Sequence, residues 1–147
     1  MTVSTIILAA GKGTRMRSPR PKILHKIAGK YLISFCVELA KRIKSKETIV
    51  VVGKEHKKVT ENTLSDNGVK FCLQKNQLGT GDAVKTAIKN MRIRSKYILV
   101  LYGDTPFIKT RTIKKMISKA ENGFKLVFLG FRSNTKNSYG KFRLGSK

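Results

Sequence analysis

The sequence predicts an α/β protein: an open, mostly parallel sheet with helices on both faces. Three observations carry that expectation. Short apolar runs alternate with segments of helical periodicity along most of the 147 residues. The runs are apolar almost without interruption, as in strands covered on both faces. The first run ends in a glycine turn, and sheets of this kind bind ligands outside the carboxyl ends of their strands.

Each element follows from its own pattern. Residues 3–10 read as a first buried strand. Residues 11–28 read as loop, because Pro19 and Pro21 oppose helix and favour extended backbone. Residues 31–44 put Leu32, Ile33, Cys36, Val37, Leu39, Ala40 and Ile43 on one helical face. The run TIVVVG at 48–53 is a second strand, residues 54–66 a polar surface helix, and VKFCL at 69–73 a third strand. Residues 74–81 read as loop and 82–91 as helix, with Thr80 or Asp82 placed to cap it. YILVLY at 97–102 is the strongest strand signal. A helix at 110–121 stops at Asn122-Gly123, and KLVFLGF at 125–131 reads as a further strand. The remainder is polar, with one more strand beginning at GKFRL. The loops after Ala10, Leu73 and Tyr102 should therefore meet at one end of the sheet.

Composition narrows the function classes. The length suits one domain, residues 1–147. No apolar run reaches the ~18 residues that span a bilayer. The N-terminus lacks a basic segment and a cleavage site, so it reads as a strand of a cytoplasmic protein. Cys36 and Cys72 stand apart without CxxC spacing, and His25 and His56 have no ligand-spaced partner, which argues against zinc and a disulfide framework. The 32 basic against 8 acidic residues give a net charge of +24, which favours polyanionic ligands. Lys and Arg are dispersed, without interleaved aromatics or a nucleic-acid motif, so nucleotides and phosphosugars fit better than specific nucleic-acid binding.

The stretch LAAGKGTRMRSPRPKILH at 8–25 carries Lys12, Arg15, Arg17, Arg20 and Lys22 and no carboxylate. It fails the dinucleotide fingerprint, because Met16 stands where the third glycine belongs and no acid ends the second strand. It fails the Walker A pattern, because Lys12 precedes Gly13. A tight Gly-x-Gly turn followed by Arg15 and Lys22 can still cradle phosphates through amides and cations. An ordinary turn with solvated cations is the other reading. Asp104 follows the most apolar strand at its carboxyl end, where a carboxylate can hold Mg²⁺ against phosphate oxygens or simply form a turn before Thr-Pro. In QLGTGDA, Gln74, Gln77, Gly79 and Thr80 offer the amides, open backbone and hydroxyl that can read a base or sugar edge.

The ordered set LAAGKGTRM, PK.LH.IAGK, Q..QLGTGDA, LVLYGDTP and YGK at 139–141 resembles the bacterial N-acetylglucosamine-1-phosphate uridyltransferases. These form the pyrophosphorylase domain of the bifunctional enzymes that make UDP-N-acetylglucosamine. The resemblance runs from about Ser4 to Lys141. It implies a Rossmann-like, nucleotidyltransferase-type sheet and Mg²⁺-dependent uridylyl transfer from UTP to N-acetylglucosamine 1-phosphate. It implies that Leu8, Ala9, Ala10 and Gly11 contact uridine, and that Arg15 and Lys22 are the catalytic cations on the triphosphate. Gln74, Gly79 and Thr80 would read uracil; Tyr102, Gly103 and Asp104 would form the ribose and metal corner, with Asp104 the Mg²⁺ ligand; Gly140 would line the sugar pocket. The family domain continues beyond the matched part, and Lys141 stands where arginine is usual. A C-terminally truncated domain is therefore expected, without the acetyltransferase β-helix, and with a possible need for a chain supplying the rest. A non-catalytic remnant or a basic nucleotide- or RNA-binding module is the alternative.

Overall fold

The computed structural model describes residues 2–11, 13, 16 and 18–132. Four parallel strands form the sheet in the order β5-β4-β1-β6: β1 (Val3–Ala9), β4 (Thr48–Gly53), β5 (Lys70–Gln74) and β6 (Tyr97–Tyr102). After β5 the chain returns to the other side of β1, so the strand order reverses between β1 and β6. That reversal opens a crevice at their carboxyl ends.

Helices cover both faces, as expected. Beneath one face, α1 (Leu32–Arg42) and α4 (Thr110–Glu121) send Ile33, Cys36, Val37 and Ile113 against Ile7, Val50 and Leu101, and Leu64 of α2 (Lys57–Leu64) joins them. On the other face Ala83 and Ala87 of α3 (Thr80–Met91) pack on Ile6, Ile49, Val51 and Cys72. The β1 and β4 side chains that meet these helices are almost fully buried, each worth roughly 1.5–3 kcal/mol relative to exposure. Two-sided cover explains why these strands lack polar alternation.

Several boundaries differ from the sequence reading. Residues 11–28 hold a 3-10 turn at Lys22–Leu24 and strand β2 (Lys26–Ile27), which pairs antiparallel with β3 (Lys30–Tyr31). Ala28 and Gly29 have positive φ (50° and 78°), which closes this short hairpin. The polar segment 54–66 is broken: 3-10 turns at Lys54–His56 and Ser65–Asn67 flank α2. Strand β5 runs one residue further than its apolar pattern, because Gly53 pairs with Gln74 and continues the ladder. Helix α3 starts at Thr80; Gly79 is its N-cap, and neither Thr80 nor Asp82 caps it through a side chain.

The expected strand at 125–131 is not formed. Leu126, Phe128 and Phe131 are exposed there, and no strand of the described sheet pairs with the segment. Apolar side chains suit a strand, but a ladder needs a neighbouring strand, and β6 ends the described sheet with Ile98, Val100 and Tyr102 exposed on the face that bears α3. The expected strand at GKFRL lies outside the described residues, as do Arg15, Gly140 and the YGK motif. Among the described residues no helix is long and apolar enough to cross a membrane.

Candidate active site

The crevice is lined by the ends of β1 and β6. Gly103 donates its backbone N–H to the carbonyl of Leu8 at 2.9 Å, which staples the two strand ends together. A Cβ at Gly103 would approach the Leu8 carbonyl oxygen and Ile23 to 3.1 Å each, so a larger residue would force this seam apart. Beyond Gly103, the Tyr102 carbonyl accepts from the Thr105 amide (3.1 Å), the Thr105 hydroxyl (2.8 Å) and the Cys36 thiol (3.3 Å). These bonds fix the turn that carries Asp104.

Lys22 reaches this corner from the opposite loop. Its Nζ lies 2.7 Å from Asp104 Oδ2, and the two side chains are 44% and 32% exposed. Gly13, at φ 61°, brings the opening turn against Lys22: an added Cβ would sit 3.3 Å from the Lys22 Cβ. Cys36 lies beneath. Burial first, and then the Asp104 charge, push its thiol up from 9.0 to about 11, so it stays protonated and donates. An open hollow of about 570 Å³ flanks Asp104, lined by residues that include Thr105, Phe107, Lys109 and Leu129.

The second part of the rim lies at β5. Gln74 is 3% exposed and donates through Nε2 to Asp82 Oδ2 (2.6 Å) and to the Gly79 carbonyl (3.2 Å). Gly79 has φ 111°, which glycine adopts without the Cβ penalty of other residues. Gln77 folds over the tip of β4, where a Cβ on Gly53 would collide with its Nε2 and come within 3.2 Å of the Ala10 carbonyl oxygen. Gln77 thus lies against the end of β4.

Of the sequence-predicted site residues, Leu8, Lys22, Gly103 and Asp104 meet at one corner, with Ala9, Ala10 and Gly11 leading into it. Tyr102 stands at the same strand end, with its side chain half exposed. Gln74 and Gly79 meet at the second part of the rim, and Thr80 opens the helix beside them, exposed. Arg15 and Gly140 lie outside the described residues. Sequence reasoning missed Cys36 and Asp82. The sequence places the first on the apolar face of a helix, where it is indeed buried, and reads the second as a cap; no local pattern marks their contacts with the Tyr102 carbonyl and the Gln74 amide.

Among the described residues there is no group of three or more His, Cys, Asp or Glu that could hold a metal. One accessible carboxylate does suit a hard divalent cation, which keeps waters and takes substrate phosphates as its remaining ligands.

The comparisons with known proteins decide the family. The family model described as the MobA-like NTP transferase domain matches residues 5–138. The chain belongs to this family. It is 37% identical over 140 residues to the bifunctional protein GlmU of Parvibaculum lavamentivorans, covering 95% of this chain and 31% of that protein. To GlmU of Wolbachia pipientis wMel it is 42% identical over 142 residues, covering 95% and 32%. The chain thus spans about a third of the length of the curated relatives it matches. Among solved structures, the fold is shared with Rv0371c of Mycobacterium tuberculosis H37Rv, at a TM-score of 0.69 and 17% identity over 83% of this chain and 62% of that one. A second structure of Rv0371c is a complex with manganese.

Proposed function

We propose that the chain performs Mg²⁺-dependent uridylyl transfer from UTP to N-acetylglucosamine 1-phosphate, yielding UDP-N-acetylglucosamine and pyrophosphate. The observation that carries this reading is the Lys22–Asp104 pair at the strand-order reversal, between two glycine-turned strand ends. Identity of about 40% to GlmU proteins supports the substrates, and the manganese complex of Rv0371c supports a divalent metal. No nucleophilic triad is required, since the sugar-phosphate oxygen attacks the α-phosphorus in line and pyrophosphate leaves.

In this reading Lys22, with Arg15, spreads positive charge over the triphosphate as negative charge shifts to the leaving group. The backbone of Leu8, Ala9, Ala10 and Gly11 holds the nucleoside, Gln74, Gly79 and Thr80 hold the base, and Tyr102 and Gly103 border the ribose. Gly140 lines the sugar pocket. Asp104 would hold the Mg²⁺, which supplies charge neutralisation at the phosphates. The Cys36 thiol and the Thr105 amide and hydroxyl, all on the Tyr102 carbonyl, keep Asp104 oriented for that task. The enzyme would work in the cytoplasm, alone or with a chain supplying the rest of the domain.

The net charge of +24 favours one alternative, a module that binds nucleotide or RNA without turnover. Pyrophosphate release from UTP and N-acetylglucosamine 1-phosphate separates the two. The enzyme reading expects Mg²⁺-dependent release that is lost in Asp104→Ala, together with a UTP-dependent rise in melting temperature. Absence of both release and UTP stabilisation overturns it. Stabilisation by any nucleotide, steeply salt-dependent and without release, establishes the alternative.

A further inference from the structure

We propose that Asp82 is a positioning residue that fixes which end of the Gln74 amide faces the base, and thereby selects uracil over cytosine. The inference rests on the reading of Gln74 as a base contact.

A glutamine amide has a donor end and an acceptor end, and what it recognises depends on which end it presents. At Gln74 the choice is already made. Its nitrogen faces the Asp82 carboxylate at 2.6 Å and the Gly79 carbonyl at 3.2 Å. Both partners are acceptors. Turning the amide over would set its oxygen against two oxygens, so chemistry alone dictates the orientation. The bond to the carboxylate is charge-assisted and about twice as strong as a neutral one. The side chain is 3% exposed, so water does not compete freely for it. Both N–H groups are spent, and no described residue donates to the carbonyl oxygen. Gln74 can offer only an acceptor.

The surroundings offer donors. Gly79 is the N-cap of α3, with no side-chain cap, so the first backbone N–H groups of the helix are left open beside Gln74. An acceptor flanked by donors complements the edge of uracil, whose N3–H lies between the O2 and O4 acceptors. Cytosine presents a lone pair at N3, which would meet the Gln74 oxygen head-on. Unpaired polar groups facing one another in a buried site are a strong basis for rejection. Both parts of the device sit on rigid elements: Gln74 ends β5, and Asp82 lies in the first turn of α3.

The test is calorimetric titration of UTP and CTP, each with Mg²⁺, into the wild-type protein and its Asp82→Ala, Asp82→Asn and Gln74→Ala variants. Ligand-free melting curves confirm that each variant is folded. The wild type is expected to prefer UTP. Asp82→Ala removes the main restraint on the amide, so the UTP:CTP preference should fall at least about tenfold, chiefly through tighter CTP binding. Asp82→Asn can turn its own oxygen toward Gln74 Nε2 and should hold the preference within about threefold of wild type. If Asp82→Ala weakens both nucleotides equally, or changes neither, Asp82 only supports the loop and the inference is overturned. If Gln74→Ala leaves both affinities unchanged, Gln74 does not face the base, and the reading underneath fails instead.

Discussion

The Asp104 corner and the Gln74 amide lie at the tips of the two outer strands of one sheet, yet they are built on opposite terms. At Asp104 two opposite charges meet while still 32% and 44% exposed. Such a pair contributes only about 0–1 kcal/mol, so a phosphate or a metal ion can take either partner away. At Gln74 a neutral amide is 3% exposed and held by two acceptors. Its orientation is costly to change, because the bond would have to break where water cannot replace it. The difference teaches a division of labour. On the proposed function, the charges that would exchange ligands stay wet, and the group that would discriminate between ligands is kept dry and fixed.

The sharpest way to break this comparison is Lys22→Met. Removing a cation from the triphosphate should weaken UTP about 10–100-fold, as for a lost charged hydrogen bond. It should also flatten the salt dependence of binding and, by freeing Asp104, tighten manganese binding in the absence of nucleotide. Titration at two ionic strengths and manganese paramagnetic resonance read these effects. Unchanged salt dependence would show that Lys22 does not act through charge.

A smaller effect comes from adding one methyl at each part of the rim. Gly103→Ala presses on the backbone carbonyl of Leu8 and on buried Ile23, both at 3.1 Å, and should cost about 1–3 kcal/mol. Gly53→Ala meets the Ala10 carbonyl at 3.2 Å and the movable end of Gln77, so it should cost less, about 1 kcal/mol. Thermal unfolding of the two variants measures the order. Equal costs would mean that the two parts of the rim are equally stiff.

A further effect is on pH dependence. Burial and the Asp104 charge raise the folded Cys36 thiol to about 11 from 9.0, so above pH 9 the unfolded chain loses this proton while the folded one keeps it. Stability should therefore decline between about pH 9 and pH 11, and Cys36→Ser should remove that component. Denaturant titration across this range checks it. An identical slope in Cys36→Ser would assign the decline to other groups.

Much of the fold is legible because β1, β4 and β6 are nearly continuous apolar runs and α1 and α4 have one clean face each. The same signal misled at 125–131. Leu126, Phe128 and Phe131 look like strand residues, but pairing depends on a neighbour that composition does not encode. The Lys26–Tyr31 hairpin escaped notice because Ala28-Gly29 is not a recognisable turn pair, although both residues adopt positive φ. At Gln74 a polar residue ends the apolar pattern, while the ladder with Gly53 continues. At the site, Asp104 and Lys22 were visible as types in suggestive positions. Their contact, across the strand-order reversal, was not.

That reversal also sets a timetable. In β1, Thr5 pairs with Thr48 and Val3 pairs with Tyr97, so one edge closes a short loop of chain and the other a long one. Long-range pairings are slower to form, because more chain entropy must be lost before any contact compensates. As the polypeptide emerges from a ribosome, β1 and β4 can join while β6 is still unmade. Lys22 then has no carboxylate to meet, and the charged corner is among the last features the molecule acquires.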